Sequence, residues 1–316
     1  MTFIWANVLK ILRFAFWVVC VCLLLQETAQ ADARTIKMAF PEGLKKFFAY
    51  EFGVIEMALD LSGTDYVMDI EELKGATQSR ISEMLLAGDI DVMFAGYSAE
   101  RESRFRQVNI PITRGILGHR VFMVKKDRAE ALRNVETLDE LRQFCIGVGS
   151  DWPDGDIMED NGFCVERGPR SNLWEMLENS RFDALTRAVH EAYRELPAIQ
   201  AQYPDVVLND TVMLVYPFDF FIYVNRKNSA LWQTITDGLL EAYRTGAFME
   251  HFHNAPAIAH ALDALRTERR HVFNIENTIM SETTKNIDDR FWLNVSDLHT
   301  DRETGNPDLK CPPCRM

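Results

Sequence analysis

The sequence predicts an α/β protein built on parallel, doubly wound sheets, and three observations predict it. Strand-like and helix-like segments alternate as strand, helix, strand, helix, strand over residues 35–95. Val92 to Ala95 is a continuous apolar run, as in a strand covered on both faces. Glycines such as Gly63, Gly88 and Gly246 stand where the helical patterns stop, as left-handed C-terminal positions require. With 316 residues and 47% hydrophobic content, the chain has enough apolar material for one large core or two ordinary ones.

Residues 1–31 read as an export leader. Lys10 and Arg13 precede an apolar run, Phe14 to Leu25, and Ala29-Gln30-Ala31 offers a small-x-small cleavage site. That run is short of the roughly 20 residues needed to span a bilayer. The alternative is an uncleaved anchor starting as far back as Ile4. Cys20 and Cys22 lie inside the run rather than at its end, which argues against a lipid anchor. The expected location is therefore the periplasm.

The first strand is Thr35 to Phe40, turned by Pro41-Glu42-Gly43. Phe48, Phe52, Ile55 and Leu59 then fall on one helical face. Tyr66 to Ile70 reads as a strand. Thr77 caps a helix whose buried face is Ile81, Met84 and Leu85, closed by Gly88. After the apolar run comes a Gly-led loop, Gly96 to Arg104, at the carboxyl end of a buried strand, where open α/β sheets bind ligands. Val121 to Val124 is the next strand, and Thr137 with Glu140 forms a capping box. Cys145 to Val148 is a strand, and Pro153 opens a helix that runs to Asn161. Further segments are a helix around Leu173 to Leu177, a strand over Arg181 to Arg187, and a helix from Ala188 ended by Pro197. Phe218 to Asn225 is the return strand, followed by a helix with Leu231, Ile235, Leu239 and Tyr243.

The net charge of −13 becomes −14 when Lys10, Arg13 and Glu27 leave with the leader. An acidic chain without a basic stripe excludes nucleic acid as a partner. Local arginines still permit an anionic ligand. Cys145 and Cys164 sit in short apolar segments that read as neighbouring strands, so a disulfide between them is expected in an oxidising compartment. Two buried thiols are the alternative. Cys311 and Cys314 form one CxxC near the end of the chain, read as a local disulfide in a loose tail.

The run Leu85 to Asp91, the strand Val92 to Ala95, the loop Gly96 to Arg104 and Ile110-Pro111 together resemble the family of periplasmic solute-binding proteins for amino acids and similar small polar solutes. Arg181-Phe182-Asp183-Ala184 and the closing helix pair from Lys227 to Glu250 are similar to later parts of the same family, so the resemblance covers about residues 35–255. It implies a two-lobed type II clamshell, each lobe a mostly parallel sheet flanked by helices. Crossings near 110–116 and 217–224 then divide the chain into lobe 1 (32–112 and 223–262), lobe 2 (113–222) and a C-terminal extension (263–316), peripheral or partly disordered.

In that frame Tyr97, Ser98 and either Arg101 or Arg104 form the lobe 1 side of the site, with the arginine as carboxylate clamp; Gln78 lies near a helix start. The family usually has two threonines before Glu-Arg, where this chain has Tyr97-Ser98-Ala99. From lobe 2, Ser150, Asp151 and Trp152 precede a helix N-terminus. Arg187 stands where many relatives place an aspartate for the ligand amine, which shifts the expectation toward a more anionic solute. The implied partners are an amino or organic acid and a membrane permease of the ABC type or a sensor, with the chain a monomer. No cofactor or metal is expected: His251 with His253 reads as a surface pair, and His190-Glu191 lacks a second histidine four residues on. Nor does the sequence hold a nucleophile elbow, P-loop or dinucleotide motif. The alternatives kept open are a ligand-sensing protein and a dehydratase-type enzyme using a cleft carboxylate such as Asp151.

Overall fold

A computed structural model describes residues 34–63, 65–295 and 298. The leader expected at 1–31 and the Cys311–Cys314 pair lie outside the described residues. In chain order the strands are β1 (Arg34–Pro41), β2 (Tyr66–Leu73), β3 (Val92–Gly96), β4 (Phe105–Val108), β5 (His119–Lys125), β6 (Cys145–Gly149), β7 (Cys164–Gly168), β8 (Ala184–Ala188), β9 (Val206–Leu208), β10 (Val212–Val215), β11 (Phe220–Asn225) and β12 (His271–Asn274). The helices are α1 (Ala49–Leu61), α2 (Gln78–Ala87), α3 (Ala99–Arg104), α4 (Lys126–Arg133), α5 (Leu138–Leu141), α6 (Asp154–Asp160), α7 (Leu173–Glu178), α8 (Val189–Gln202), α9 (Ser229–Thr245), α10 (Ala247–Asn254), α11 (Pro256–Thr267) and α12 (Glu282–Lys285). No helix among the described residues is long and apolar enough to cross a membrane.

The alternation of strand and helix is as expected, and the caps are where the side chains put them. Thr77 accepts from Arg80 N, Gly88 takes a left-handed φ of 87°, and the Thr137–Glu140 capping box is complete. The sheets, expected mostly parallel, are mixed. The larger has seven strands: β12-β10-β5-β8-β6-β7, with β9 also on β5. There β6 runs parallel to β7 and β8, whereas β5 is antiparallel to β8, β9 and β10. In the three-stranded sheet, the smaller of the two that flank the crossings, β11 is antiparallel to both β3 and β4, pairing Val224 with Val92 and Phe220 with Gly96. Strands β1 and β2 pair apart as a third, two-stranded sheet. The reason is connectivity. β11 and β5 enter from the crossings between the two sheets instead of from a helical crossover on their own sheet, so they run the opposite way.

Those crossings are tied to each other. Ile112 N donates to Phe220 O at 3.0 Å, Tyr216 N to Gly118 O at 3.2 Å, and Tyr97 N to Asp219 O at 3.0 Å. Fully buried Asp219 accepts from Thr113 N and Thr113 Oγ1, both at 2.8 Å, and from Gly115 N. A Cβ at Gly118 would collide with the Tyr216 carbonyl, so the two crossing segments can approach this closely only with glycine there.

Three further expectations are corrected. Helix α8 does not end at Pro197 but runs through it to Gln202. Packing of the helix against α11, with Tyr193 stacked on His260 at 4.4 Å, outweighs the lost hydrogen bond. The strand expected from Arg181 starts at Ala184, because Ser180 turns the chain with a φ of 54° and Asp183 is held by Cys145 N. The C-terminal extension, expected as peripheral or partly disordered, is folded as far as the described residues go. Its β12 pairs in parallel with β10, and Phe273, Met280, Ile287 and Phe291 are buried. It then runs onto the smaller sheet, where Ser281 bonds Tyr97 and Glu102, Thr284 bonds Gln107, and Leu293 N donates to Arg114 O.

Candidate functional site

Between the two sheets, at the carboxyl ends of β1, β3 and β6, lies a cavity of about 670 Å³. Five expected site residues line it: Gln78, Ser150, Asp151, Trp152 and Arg187. They arrive from α2, from the β6–α6 turn and from β8, and Asp151 joins the two sides. Its Oδ2 accepts from Gln78 N at 2.7 Å and Ser79 N at 3.3 Å, at the positive N-terminal end of α2. Trp152 lies flat because residue 149 is glycine. A Cβ there would meet the indole at 2.5 Å.

The other expected residues stand elsewhere. Tyr97 is fully buried and donates its hydroxyl to Glu102 at 2.8 Å while accepting from Ser281 N at 2.9 Å. Ser98 is the N-cap of α3 and accepts from Arg101 N at 3.1 Å. Arg104 pairs on the outside with Glu83 and Glu100 at 2.7 and 2.8 Å. None of these three lines the cavity. Arg101 sits just behind the wall, donating to Gly96 O at 2.8 Å and Gln78 Oε1 at 2.9 Å. Both acceptors belong to residues that line the cavity, so Arg101 orients Gln78 rather than presenting itself. The displacement has one cause. Residues 99–104 form a helix instead of an open loop, and Ser98 turns to cap it.

The larger sheet contributes a buried ionic network that sequence reasoning did not find. Arg120 pairs with Asp154 and donates to Tyr216 Oη at 3.0 Å, and Tyr216 in turn donates to Asp154 at 2.6 Å. Arg187 grips Glu195 through Nε and Nη2 at 2.7 and 2.8 Å and reaches Glu191 at 3.3 Å. Burial opposes the charge on Arg187, but Glu191 and Glu195 overcome it and hold its pKa above the ordinary value. Burial likewise opposes ionisation of Glu191, yet Arg187, His190 and Arg120 bring it down to about 2. The Arg187 guanidinium also lies 4.9 Å from the Trp152 ring centroid, within cation–π range. Arg120 and Asp154 are 34 positions apart and carry no local motif. Only the rule that ligands gather at strand ends and helix starts points to them.

An aromatic wall comes from β1, the residue before α1 and the smaller sheet. Phe40, Phe48, Phe94 and Phe220 line the cavity and touch one another, with Phe40 stacked on Phe94 at 5.1 Å. Among the described residues no cluster of three or more His, Cys, Asp or Glu side chains is arranged to hold a metal ion. The disulfide forms as expected: Cys145 and Cys164 face each other in register across β6 and β7 and are bonded.

No protein-family model matches the sequence, and no curated protein matches it. Solved structures do. An arginine third transport system periplasmic binding protein from Legionella pneumophila superposes with a TM-score of 0.53 at 14% identity, over 70% of this chain and 98% of that one. An ancestral arginine-binding protein bound to glutamine gives 0.50 at 18%, over 71% and 98%. A ligand-binding core from Nostoc punctiforme in complex with L-glutamate gives 0.50 at 11%, over 71% and 99%. With a sheet on either side of the cavity and a double crossing between them, this chain has the fold of the type II periplasmic solute-binding proteins.

Proposed function

We propose that the chain is an exported solute-binding protein that captures a small carboxylate-bearing molecule between its two lobes. One observation carries this reading: a cavity at the strand ends, lined from both sheets and crossed by the Asp151–Gln78 contact. The amides of Gln78 and Ser79 are taken by the Asp151 carboxylate, which leaves guanidinium groups as the donors for a ligand carboxylate. Three arginines, Arg120, Arg170 and Arg187, also line the cavity. Lobe 1 is residues 34–112 with 220–262 and lobe 2 is 113–219, the second boundary falling where β11 joins the smaller sheet instead of at the expected 223. Ligand contacts from both lobes favour the closed form over the open one. That closed form is what a membrane permease of the ABC type reads. Gln78, Ser150, Trp152 and Arg187 are the direct ligand contacts, with Arg101 holding Gln78 in place.

The carboxylates of the cavity favour binding over catalysis. Asp151 is engaged by two backbone amides, Asp154 by Arg120 and Tyr216, and Glu191 by Arg187. None of these three is presented as a proton acceptor in the way a dehydratase requires, and the fourth, Glu42, is exposed to solvent. The test is native mass spectrometry on protein exported to a bacterial periplasm, with identification of any small molecule that travels with it. An amino or organic acid released intact, and lost in Arg187→Ala, supports the reading. A bare protein mass, with no thermal shift across a panel of such acids, overturns it.

A further inference from the structure

We infer that the molecule held in this cavity has an aromatic ring system as its body, carrying an anionic group and no ammonium. The inference rests on the solute-binding reading above and narrows it. Size is the first argument. Cavities of about 300–1,000 Å³ enclose ligands of drug size, and about 670 Å³ sits well inside that range. The second is the wall. Phe40, Phe48, Phe94 and Phe220 come from four segments and meet as one connected surface, with ring centroids 5.1 to 5.9 Å apart. All four line the cavity while remaining within 8% exposure, so their rings are packed by the protein and offer it only their inner edges and faces. The larger sheet answers with the half-buried indole of Trp152. Rings prefer stacked or edge-to-face neighbours, and such pairs add to plain area burial.

The third argument is charge. An α-ammonium needs a carboxylate acceptor, and of the four that line the cavity only Glu42 has a side chain without a partner among the described residues. It is exposed to solvent, so an ammonium enclosed with the ligand has the other three to turn to. Asp154 and Glu191 are already paired with Arg120 and Arg187, and Asp151 is bonded to the amides of Gln78 and Ser79. An ammonium would have to break one of these, leaving a buried guanidinium or two amides without a partner. A carboxylate can instead add to the Arg170 and Arg187 guanidiniums and leaves Asp151 on its amides.

Calorimetry on the exported, unliganded protein tests this with four probes: indole-3-acetate, phenylpyruvate, glutamate and glutamine. The expected result is that indole-3-acetate or phenylpyruvate binds at least tenfold tighter than either amino acid. Trp152→Ala should weaken the aromatic probe about tenfold. Phe94→Leu, which keeps an apolar side chain, should narrow the gap between the classes. Tighter binding of glutamate or glutamine overturns the aromatic assignment and leaves the solute-binding reading standing. If no probe binds, the co-purifying molecule decides: an aromatic acid supports the assignment, and an aliphatic one overturns it. Absence of both probe binding and any co-purifying molecule brings down both readings.

Discussion

Asp151 bridges the two sides of the cavity. It leaves the end of β6 in the larger sheet and places its carboxylate on the first amides of α2, which packs against the smaller one. A charge-assisted bond to an amide at a helix N-terminus contributes about 1.5–3 kcal/mol. Asp151→Ala should therefore lower stability by about 1–3 kcal/mol and, because the bond spans the cleft, raise the radius of gyration in solution scattering. An unchanged radius would show that other contacts hold the cleft shut. Asp151 was legible in the sequence because it precedes a proline-led helix after a buried strand. Ser150, Trp152 and Arg187 were legible by the same strand-end logic and Gln78 by its place near a helix start, and all five line the cavity. Tyr97, Ser98 and Arg104 were misplaced because the pattern Ser-x-x-Arg reads equally as a binding loop and as a capped helical turn, and the turn formed. The aromatic wall was not legible. Phe40, Phe48, Phe94 and Phe220 each look like ordinary core residues of their own segment, and only the tertiary fold gathers them.

Two elements at the margins of the larger sheet decide how firmly it is closed. On one edge β7 is stitched to β6 by Cys145–Cys164, which encloses a loop of 19 positions. A loop near this length is worth about 3 kcal/mol in the chain-entropy account. Denaturation with and without reductant should differ by about that amount, and Cys145→Ala/Cys164→Ala should match the reduced protein. Equal midpoints would mean that β7 is held by its ladder alone. On the other edge β12 belongs to a strap that returns to the smaller sheet. Ser281 accepts from Thr284 N at 3.1 Å as N-cap of α12 and donates to Glu102 at 2.9 Å. Ser281→Ala should cost about 1 kcal/mol in thermal denaturation and speed hydrogen exchange at Thr284. Unaltered exchange would place the anchor elsewhere, at Leu293–Arg114 for example. The strap lies in a stretch too polar to show periodicity, and its order depends on contacts with residues about 180 positions away, such as Tyr97 and Gln107. The strand directions were equally hidden. A run of apolar residues marks a strand but says nothing of which neighbour it joins or in which sense.

At the scale of the whole molecule, the deepest polar contact between α1 and α8 is one that water would ordinarily take apart. Glu51 and His190 are buried, 4.0 Å apart, and neither carboxylate oxygen nor ring nitrogen has a hydrogen-bond partner among the described residues. Around Glu51 stand Arg194, Glu191 and Asp219; around His190 stand Glu191, Arg194, Arg120 and Arg187. Burial pushes Glu51 up to about 8, against the pull of Arg194. Burial pulls His190 down to about 3, against Glu191. The two act in opposite senses on stability. Glu51 has a raised pKa, so its contribution is complete below its ordinary value of 4.5 and is lost as pH rises to about 8. His190 has a depressed one, so its contribution is complete above 6.5 and is lost as pH falls toward 3. Glu191, depressed to about 2, adds to the loss on the acid side. Asp219, raised to about 7 by burial, declines with rising pH as Glu51 does. Comparison with Glu51→Gln isolates Glu51, because the amide keeps the shape and cannot ionise, while the other three groups titrate in both proteins. Between pH 4.5 and 8 the wild-type protein should lose stability relative to the variant, by about 4 kcal/mol at roughly 1.36 kcal/mol per unit. Melting temperatures measured for both from pH 4.5 to 8.5 should draw apart steadily in the variant's favour. Curves that stay parallel would mean that Glu51 keeps its charge in the folded protein, with Arg194 outweighing burial.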